Sequence, residues 1–217
     1  MKNKFLLPIT LFLTLTITLT GCASKNKPPR VRDETFIADL AAFEVGTFHL
    51  YAAFGINRPK IYDFSAIFYP RSNMLYFRGR IGVDIVQAGF SLSERSSLVS
   101  AKEKYVQDYE NGSIKNEKPT KKNAYSKGNV PFNWGTLGAG YLAYVDYYSN
   151  VEYIIENKPY FRIQFQSTKG EEPDENISSP RINVYISPSQ WESIIETCNQ
   201  ERLIEMTDEI LEEANAF

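Results

Sequence analysis

Apolar and polar residues alternate along much of this chain, a pattern that predicts β-strands with one face toward a core. The alternating stretches are 47–54, 61–69, 74–80, 82–90, 129–134, 141–148, 151–156, 160–167 and 181–186. In the stretch 160–167, three apolar residues alternate with three polar ones, namely Phe161, Ile163 and Phe165 with Arg162, Gln164 and Gln166. We therefore expect the apolar side chains of this strand to point inward and the polar ones outward.

Helical spacing predicts two helices in the first half of the chain. Residues 33–43 are predicted as a short helix, because three apolar residues recur there on one face: Phe36, Leu40 and Phe43. A longer helix is predicted to begin at Ser91, where Ser91 and Glu94 form a capping box. Its end is predicted at Asn111-Gly112, since glycine commonly follows the last helical residue.

The C-terminal segment predicts a further helix that begins at Ser187. Pro188 suits the first helical position, and Gln190 completes a second capping box. The predicted buried face contains Trp191, Ile194, Ile195 and Cys198. The apolar stripe that starts at Leu203 is out of phase with this face, so we expect a bend or break near 199–201.

The two halves of the chain resemble each other. Residues 91–99 align with residues 187–195 at an offset of 96, and residues 76–78 align with residues 160–162 at an offset of 84. The twelve residues of an acidic loop, 169–180, account for the difference between the offsets. A repeated unit, covering about 46–111 and 129–214, explains both alignments; convergent capping and strand chemistry is the alternative.

Two such units resemble the whirly fold of single-stranded nucleic-acid-binding proteins. The resemblance lies in the helix-opening segments 90–94 and 184–188 and in the triplet Tyr160-Phe161-Arg162. It implies an α+β fold with antiparallel sheets, in a pseudo-duplicated ββββα arrangement with two capped helices. The Lys-Gly-Lys-Ala-Ala-Leu-Ser signature of the plant members is absent from this chain.

The N-terminal segment has the layout of a secretory leader. Lys2 and Lys4 precede a hydrophobic stretch, 5–19, which is shorter than a membrane-spanning helix requires. The leader ends in Leu19-Thr20-Gly21-Cys22, which resembles the lipobox of bacterial lipoproteins. The resemblance implies cleavage before Cys22, a diacylglycerol thioether on its sulfur and an acyl group, such as palmitate, on its new amino terminus.

The lipobox also predicts a domain plan and an address. We expect a signal peptide at 1–21, a lipidated polar tether at 22–32 and one domain of two similar halves at 33–217. Two or more acyl chains give stable membrane anchoring. The residue after the cysteine is Ala23 and not Asp. By the sorting rule of bacterial lipoproteins, this residue favours the outer membrane of a two-membrane bacterium. A single-membrane source would make the protein a plasma-membrane lipoprotein.

Charge and cysteine content narrow the classes of partner. The chain has 24 basic and 26 acidic residues; the leader contains Lys2 and Lys4, which leaves 22 against 26, a formal charge of −4. No global basic field attracts nucleic acid, so nucleic acid is the less favoured partner. With Cys22 lipidated, Cys198 lacks an intramolecular disulfide partner, and it is interpreted as a small buried helix residue rather than a reactive thiol.

The sequence predicts a protein without enzymatic activity, metal or cofactor. His49 is the single histidine, it lies on a predicted strand, and it is interpreted as structural or exposed. Three glycines between strands indicate a hairpin rather than a phosphate loop: Gly135, Gly138 and Gly140. Four acids lack the spacing of a calcium loop and indicate a solvated segment: Glu171, Glu172, Asp174 and Glu175.

Tyrosines supply the candidate binding residues. Two predicted strands contain Tyr141, Tyr144, Tyr147, Tyr148 and Tyr153. In an alternating sheet these rings cannot all face one core, so some should be exposed to a protein or glycan partner. Cross-strand pairing that merely stabilises the sheet is the alternative. We expect a lipid-anchored envelope protein that binds or scaffolds a partner; a whirly-like single-strand binder is the second hypothesis.

Two charged segments are predicted to be solvated and open to partners. Residues 112–130 are rich in lysine, and residues 169–180 are rich in acids. Neither has an apolar period, so neither should bury enough surface to offset the entropy of its ordering.

Overall fold

The computed structural model describes residues 36–81, 84–136, 139–171 and 177–215, and eight antiparallel strands dominate them. The strands are β1 (Phe43–Phe54), β2 (Lys60–Tyr69), β3 (Met74–Ile81), β4 (Asp84–Phe90), β5 (Ser126–Thr136), β6 (Ala139–Tyr153), β7 (Pro159–Phe165) and β8 (Ile182–Ile186). Each strand pairs with the next, and β8 pairs with β1. The strands therefore form one closed barrel.

The predicted α+β fold, with separate antiparallel sheets in a whirly-like ββββα arrangement, is wrong. Two pairings convert the expected sheets into one barrel. Residues Tyr51–Phe54 of β1 pair with Ile182–Tyr185 of β8, and Asp84–Ala88 of β4 pair with Phe132–Thr136 of β5. Both pairings join segments far apart in sequence, whereas a local alternation pattern specifies a strand without specifying its partner.

The predicted N-terminal helix over 33–43 is also wrong. Residues 36–42 are not helical, and Phe43 already belongs to β1. The Ile37 amide donates a hydrogen bond to the Pro70 carbonyl oxygen over 3.0 Å, and the Phe43 ring contacts the Phe68 ring edge-on at 5.8 Å. Contacts of Ile37 and Phe43 with the β2–β3 hairpin thus replace the expected helix, and Phe36, the first residue of its predicted apolar face, is 59% exposed.

Both predicted caps open helical structure. Helix α1 spans Leu92–Glu110, and the Ser91 and Glu94 capping box is confirmed, with the Ser91 amide 2.9 Å from Glu94 Oε2. A 3₁₀ turn at Pro188–Gln190 leads into α2 (Trp191–Cys198), which is followed by α3 (Gln200–Asn215). The predicted break is confirmed, because Asn199 is extended between α2 and α3.

The core fills the barrel interior and continues onto the helices. The inner faces of the strands contribute aromatic and aliphatic side chains, and α1 and α2 add Leu98, Tyr105, Trp191 and Ile194. A nearly all-apolar cavity of about 50 Å³ remains in the interior, beside Trp191. Cavities that bind benzene-sized ligands are roughly three times larger. The interior is therefore a packed core rather than a ligand chamber.

A buried arginine ties the helices to the β2–β3 turn. Arg95 of α1 is fully buried, and it donates hydrogen bonds to the backbone oxygen and Oδ1 of Asn73, each over 2.9 Å. It also donates to the Phe90 carbonyl oxygen over 3.0 Å and to Gln200 Oε1 at the start of α3. Asn73 holds a left-handed backbone (φ 47°), which asparagine tolerates better than most residues.

Candidate binding surface

The tyrosines predicted as one partner surface are divided by the alternation of β6. Tyr147 is buried in the barrel interior, and Tyr141 stacks on Trp134 with ring centres 5.7 Å apart. Tyr153 Oη donates a hydrogen bond to the Ile114 carbonyl oxygen over 3.4 Å, beneath the connection that follows α1. Tyr144 and Tyr148 have the opposite parity, so they lie on the outer face. The five tyrosines therefore do not share one surface.

A different set of tyrosines comes together on the outer wall of β1, β6, β7 and β8. We call it the tyrosine wall, and it comprises Tyr51, Tyr148, Tyr160, Arg162 and Tyr185. The strand register places Arg162 beside Tyr185 and Tyr185 beside Tyr51. The Tyr51 and Tyr160 rings meet edge-on at 6.0 Å. This arrangement depends on pairing among four strands.

Arg162 is the centre of the tyrosine wall. Its Nη1 donates to Glu152 Oε2 over 3.1 Å, and its guanidinium carbon lies 5.8 Å from the centre of the Tyr148 ring. The Tyr148 hydroxyl donates to Gln164 Oε1. Arg162 and Gln164 are each only 7% exposed, although both point away from the barrel interior. The neighbouring rings and the paired carboxylate thus bury an outward-facing strand.

Burial raises the pKa of two phenols of the wall, those of Tyr185 and Tyr160. It raises the pKa of Tyr185, and the nearby Glu152 carboxylate raises that pKa further. Burial likewise raises the pKa of Tyr160, with a smaller contribution from Tyr51. Since an ordinary tyrosine pKa is already about 10, these hydroxyls remain neutral hydrogen-bond donors at physiological pH.

The wall continues into an exposed apolar side chain on β2. Ile61 pairs with Tyr51 in the strand register and is 58% exposed. The accessible parts of this surface are the half-buried rings and hydroxyls of Tyr51 and Tyr160 and the aliphatic side chain of Ile61. Tyrosine and arginine are enriched among the residues that dominate binding energy at protein interfaces. The surface is suited to packing and hydrogen bonding with a partner.

Tyr51, Tyr160 and Tyr185 were not among the predicted site residues. Each occupies an outward position in an alternating strand, which the sequence pattern could have indicated. The prediction relied on tyrosines crowded along neighbouring sequence positions, whereas the wall is assembled across strands. The order of the strands around the barrel was needed to find it.

His49 and Cys198 lie in contrasting environments. The His49 side chain is 75% exposed and its Nδ1 lies 2.6 Å from Asp63 Oδ1, so the interpretation as an exposed histidine is confirmed. Cys198 is buried on α2, as predicted, and desolvation raises the pKa of its thiol to about 12. A thiol with such a pKa is a poor nucleophile at neutral pH. Neither side chain belongs to the tyrosine wall.

Other candidate positions are only partly described. Gly135 and Gly140 pair across β5 and β6, which confirms a hairpin there, while Gly138 lies outside the described residues. Glu171 is exposed; Glu172, Asp174 and Glu175 lie outside the described residues, and so does Cys22. Within the described ranges, no group of three His, Cys, Asp or Glu side chains could hold a metal ion.

The charged segments are less solvated than predicted. Ile114 and Tyr125 of the lysine-rich segment pack against the core, and β5 begins within that segment at Ser126. In the acidic segment, Lys169 bridges Ser178, and the buried Ser179 accepts a hydrogen bond at its Oγ from the Thr168 amide over 2.9 Å. The prediction that both segments lack packing is therefore wrong for these portions.

The fold and the wall define a closed antiparallel barrel with a half-buried aromatic surface on its outside. The chain belongs to the family described as "Uncharacterised Treponema protein", whose model matches residues 27–205. It is 22% identical over 155 residues to an uncharacterized protein of Treponema pallidum (strain Nichols). That alignment covers 71% of this chain and 56% of the relative, so the chain spans little more than half of that protein's length.

No solved structure matches the chain. In the described part of the chain, none of the helices is both long enough and apolar enough to cross a membrane.

Proposed function

We propose that this chain is a lipid-anchored envelope protein that binds a protein partner through the tyrosine wall and performs no catalysis. Cys22 is the proposed lipidation site, the outer membrane is the proposed location, and the barrel is a binding or scaffolding module. The leader and Leu19-Thr20-Gly21-Cys22 support the anchor. The observation that supports the binding role is the burial of Arg162 among tyrosines on the outer wall.

A protein partner fits the chemistry of the wall. An antiparallel strand that faces water usually presents polar, well-solvated side chains on its outer face. Here the rings are already held by neighbours, so little side-chain entropy remains to be lost on binding. The half-buried Tyr51 and Tyr160 supply hydroxyl donors for backbone and carboxylate oxygens of a partner, while Ile61 supplies apolar contact.

Membrane fractionation tests the anchor. Cys22→Ser should move the protein from the detergent phase to the aqueous phase, because the acyl chains provide the binding energy. Cys198→Ser is the matched control, and it should leave the protein in the detergent phase. Retention of the Cys22→Ser protein in the detergent phase would exclude this anchor.

Crosslinking in native membranes tests the binding role. The full chain, with and without Tyr51→Ala and Tyr160→Ala together, would be crosslinked in cells and its attached proteins identified. The double variant should lose proteins that the parent captures. Tyr109→Ala is the control, since Tyr109 is an exposed tyrosine on α1 and is not one of the residues of the wall. Identical captured proteins for the parent and the double variant would contradict the proposal.

A further inference from the structure

A polar cleft of about 340 Å³ lies between the second half of α1, the connection that follows it and the end of β6. Its lining includes Lys104, Asp108, Lys115, Lys122, Tyr125 and Asn150. The cleft is separate from the tyrosine wall in its residues. It borders the wall where Asn150 pairs with Arg162 in the register of β6 and β7, and it is a second candidate for a ligand site.

Hydrogen bonds hold one wall of the cleft in place. The buried Asn150 Nδ2 donates to the Thr120 carbonyl oxygen over 3.0 Å and to Asn123 Oδ1 over 2.9 Å. Asn123 Oδ1 also accepts from the Thr120 amide over 2.8 Å, which closes a turn. The lysine-rich connection is thus fastened to β6 at the point where Lys122 leaves the turn.

A second part of the lining is held through Asp108 of α1. Tyr125 Oη donates to Asp108 Oδ2 over 2.7 Å, and Ser113 Oγ donates to Asp108 Oδ1 over 3.1 Å. Both oxygens of this carboxylate therefore already accept hydrogen bonds from the walls of the cleft. The second acid of the lining, Glu117, lies 4.0 Å from Lys115 Nζ.

Two ammonium groups of the cleft have no acidic partner in the part of the chain that the structure describes. Among the described residues, Lys104 and Lys122 form no ion pair. Lys104 Nζ instead lies 5.6 Å from the centre of the Tyr125 ring. Both lysine side chains are exposed at the cleft. Two like charges that line one cleft and lack an acidic partner favour an anion in that cleft.

We propose that this cleft binds a phosphate-type oxyanion between Lys104 and Lys122. A tetrahedral anion presents oxygens in several directions, so it can accept from two ammonium groups that approach from different walls. Lysine acts as a point charge and does not require the planar geometry of a carboxylate. The phosphate could be that of a soluble compound or of a lipid headgroup, because both present the same oxygens.

Lysine acylation of the full chain in neutral detergent tests the proposal, with mass spectrometry reporting each lysine. Inorganic pyrophosphate should slow acylation of Lys104 and Lys122 and leave the exposed Lys60 and Lys169 unchanged. Sodium chloride at equal ionic strength should give no selective slowing, since screening acts on all exposed charges. Uniform slowing, no slowing, or an equal effect of sodium chloride would overturn the proposal.

Variants and vesicles sharpen the test. Lys122→Gln should weaken protection of Lys104 by pyrophosphate about threefold, as expected for one exposed charge contact. Lys118→Gln is the matched control from the same connection, outside the cleft lining, and should leave protection unchanged. Equal effects of the two variants would also overturn the proposal.

In vesicles, protection by phosphatidylglycerol but not by phosphatidylcholine would assign the oxyanion to a lipid headgroup. Protection by pyrophosphate alone would assign it to a soluble phosphate compound. Either result supports the site.

Discussion

Strands β3 and β7 contain the same triplet of residues, but the two copies differ in how deeply their side chains are buried. Tyr76-Phe77-Arg78 in β3 and Tyr160-Phe161-Arg162 in β7 both place the phenylalanine inward and the arginine outward. Arg78 is exposed, whereas Arg162 is 7% exposed. Phe77 is partly buried, whereas Phe161 is fully buried.

The difference between the two arginines comes from their neighbours across the sheet. Arg78 lies between Ser65 of β2 and Gln87 of β4. Arg162 has Tyr185 on one side, with Glu152 and the Tyr148 ring within contact distance. Cross-strand pairs are the unit of sheet stabilisation. A shared triplet therefore specifies the direction of each side chain, while neighbouring strands decide its burial.

The largest expected effect is on the inner face. Phe161→Ala should lower the free energy of unfolding by about 4 kcal/mol, because it leaves a cavity among the Tyr105, Tyr125 and Trp191 rings. Phe77→Ala should cost about half as much, since Phe77 is only partly buried. Denaturant unfolding of both full-length variants measures the ratio. Equal losses would show that the two halves are packed alike.

Arg162→Ala should have the next largest effect. Removing the guanidinium leaves Glu152 without its ion-pair partner and the Tyr148 ring without its cation, so we expect a loss of about 2 kcal/mol. Arg78→Ala is the matched control, and it should change stability by less than about 0.5 kcal/mol because Arg78 is exposed. Denaturant unfolding measures both. Similar losses at the two positions would contradict the role assigned to the neighbours.

The local elements of the fold were predictable from the sequence, whereas the assembly was not. The alternation in 160–167 and the capping box at Ser91 and Glu94 depend on residues within one or two turns, and both appear as expected. The prediction of a helix over 33–43 is wrong because tertiary contacts of Ile37 and Phe43 with the β2–β3 hairpin outweigh a weak helical pattern. The closed barrel was not predicted, because no short-range signal specifies that β8 pairs with β1.

The candidate surface shows the same limit. Tyr148 was selected from the sequence and belongs to the tyrosine wall, but Tyr147, its neighbour, lies inside the barrel. Parity along β6 separates the two without further information. Tyr51 and Tyr185 come from opposite ends of the chain and meet through the pairing of β1 with β8. Finding them required the strand order.

A smaller effect is expected from the hydroxyl of Tyr148. Tyr148→Phe keeps the ring over Arg162 but removes the hydrogen bond to Gln164, whose oxygen is largely buried. The expected loss is about 1 kcal/mol. Tyr69→Phe on β2 is the control, since that ring is 37% exposed and lies outside the wall. Unfolding of both variants would separate the hydrogen bond from the ring, and an unchanged Tyr148→Phe protein would show that the hydrogen bond to Gln164 adds no net stability.

The smallest effect is expected from a substitution that places an aromatic ring beside Arg78 of β3, as in the tyrosine wall. Ser65 lies directly beside Arg78 and faces outward on β2, so Ser65→Tyr would place a ring next to the exposed guanidinium. A cation–π contact at an exposed site contributes about 0.5 kcal/mol. Ser65→Tyr alone could also change strand propensity or packing against Thr47, its other neighbour in the register. The double-mutant cycle with Arg78→Ala removes these terms and isolates the coupling between the two side chains. A coupling near zero would mean that an aromatic neighbour is insufficient, and that the carboxylate of Glu152 is what holds Arg162 under its rings.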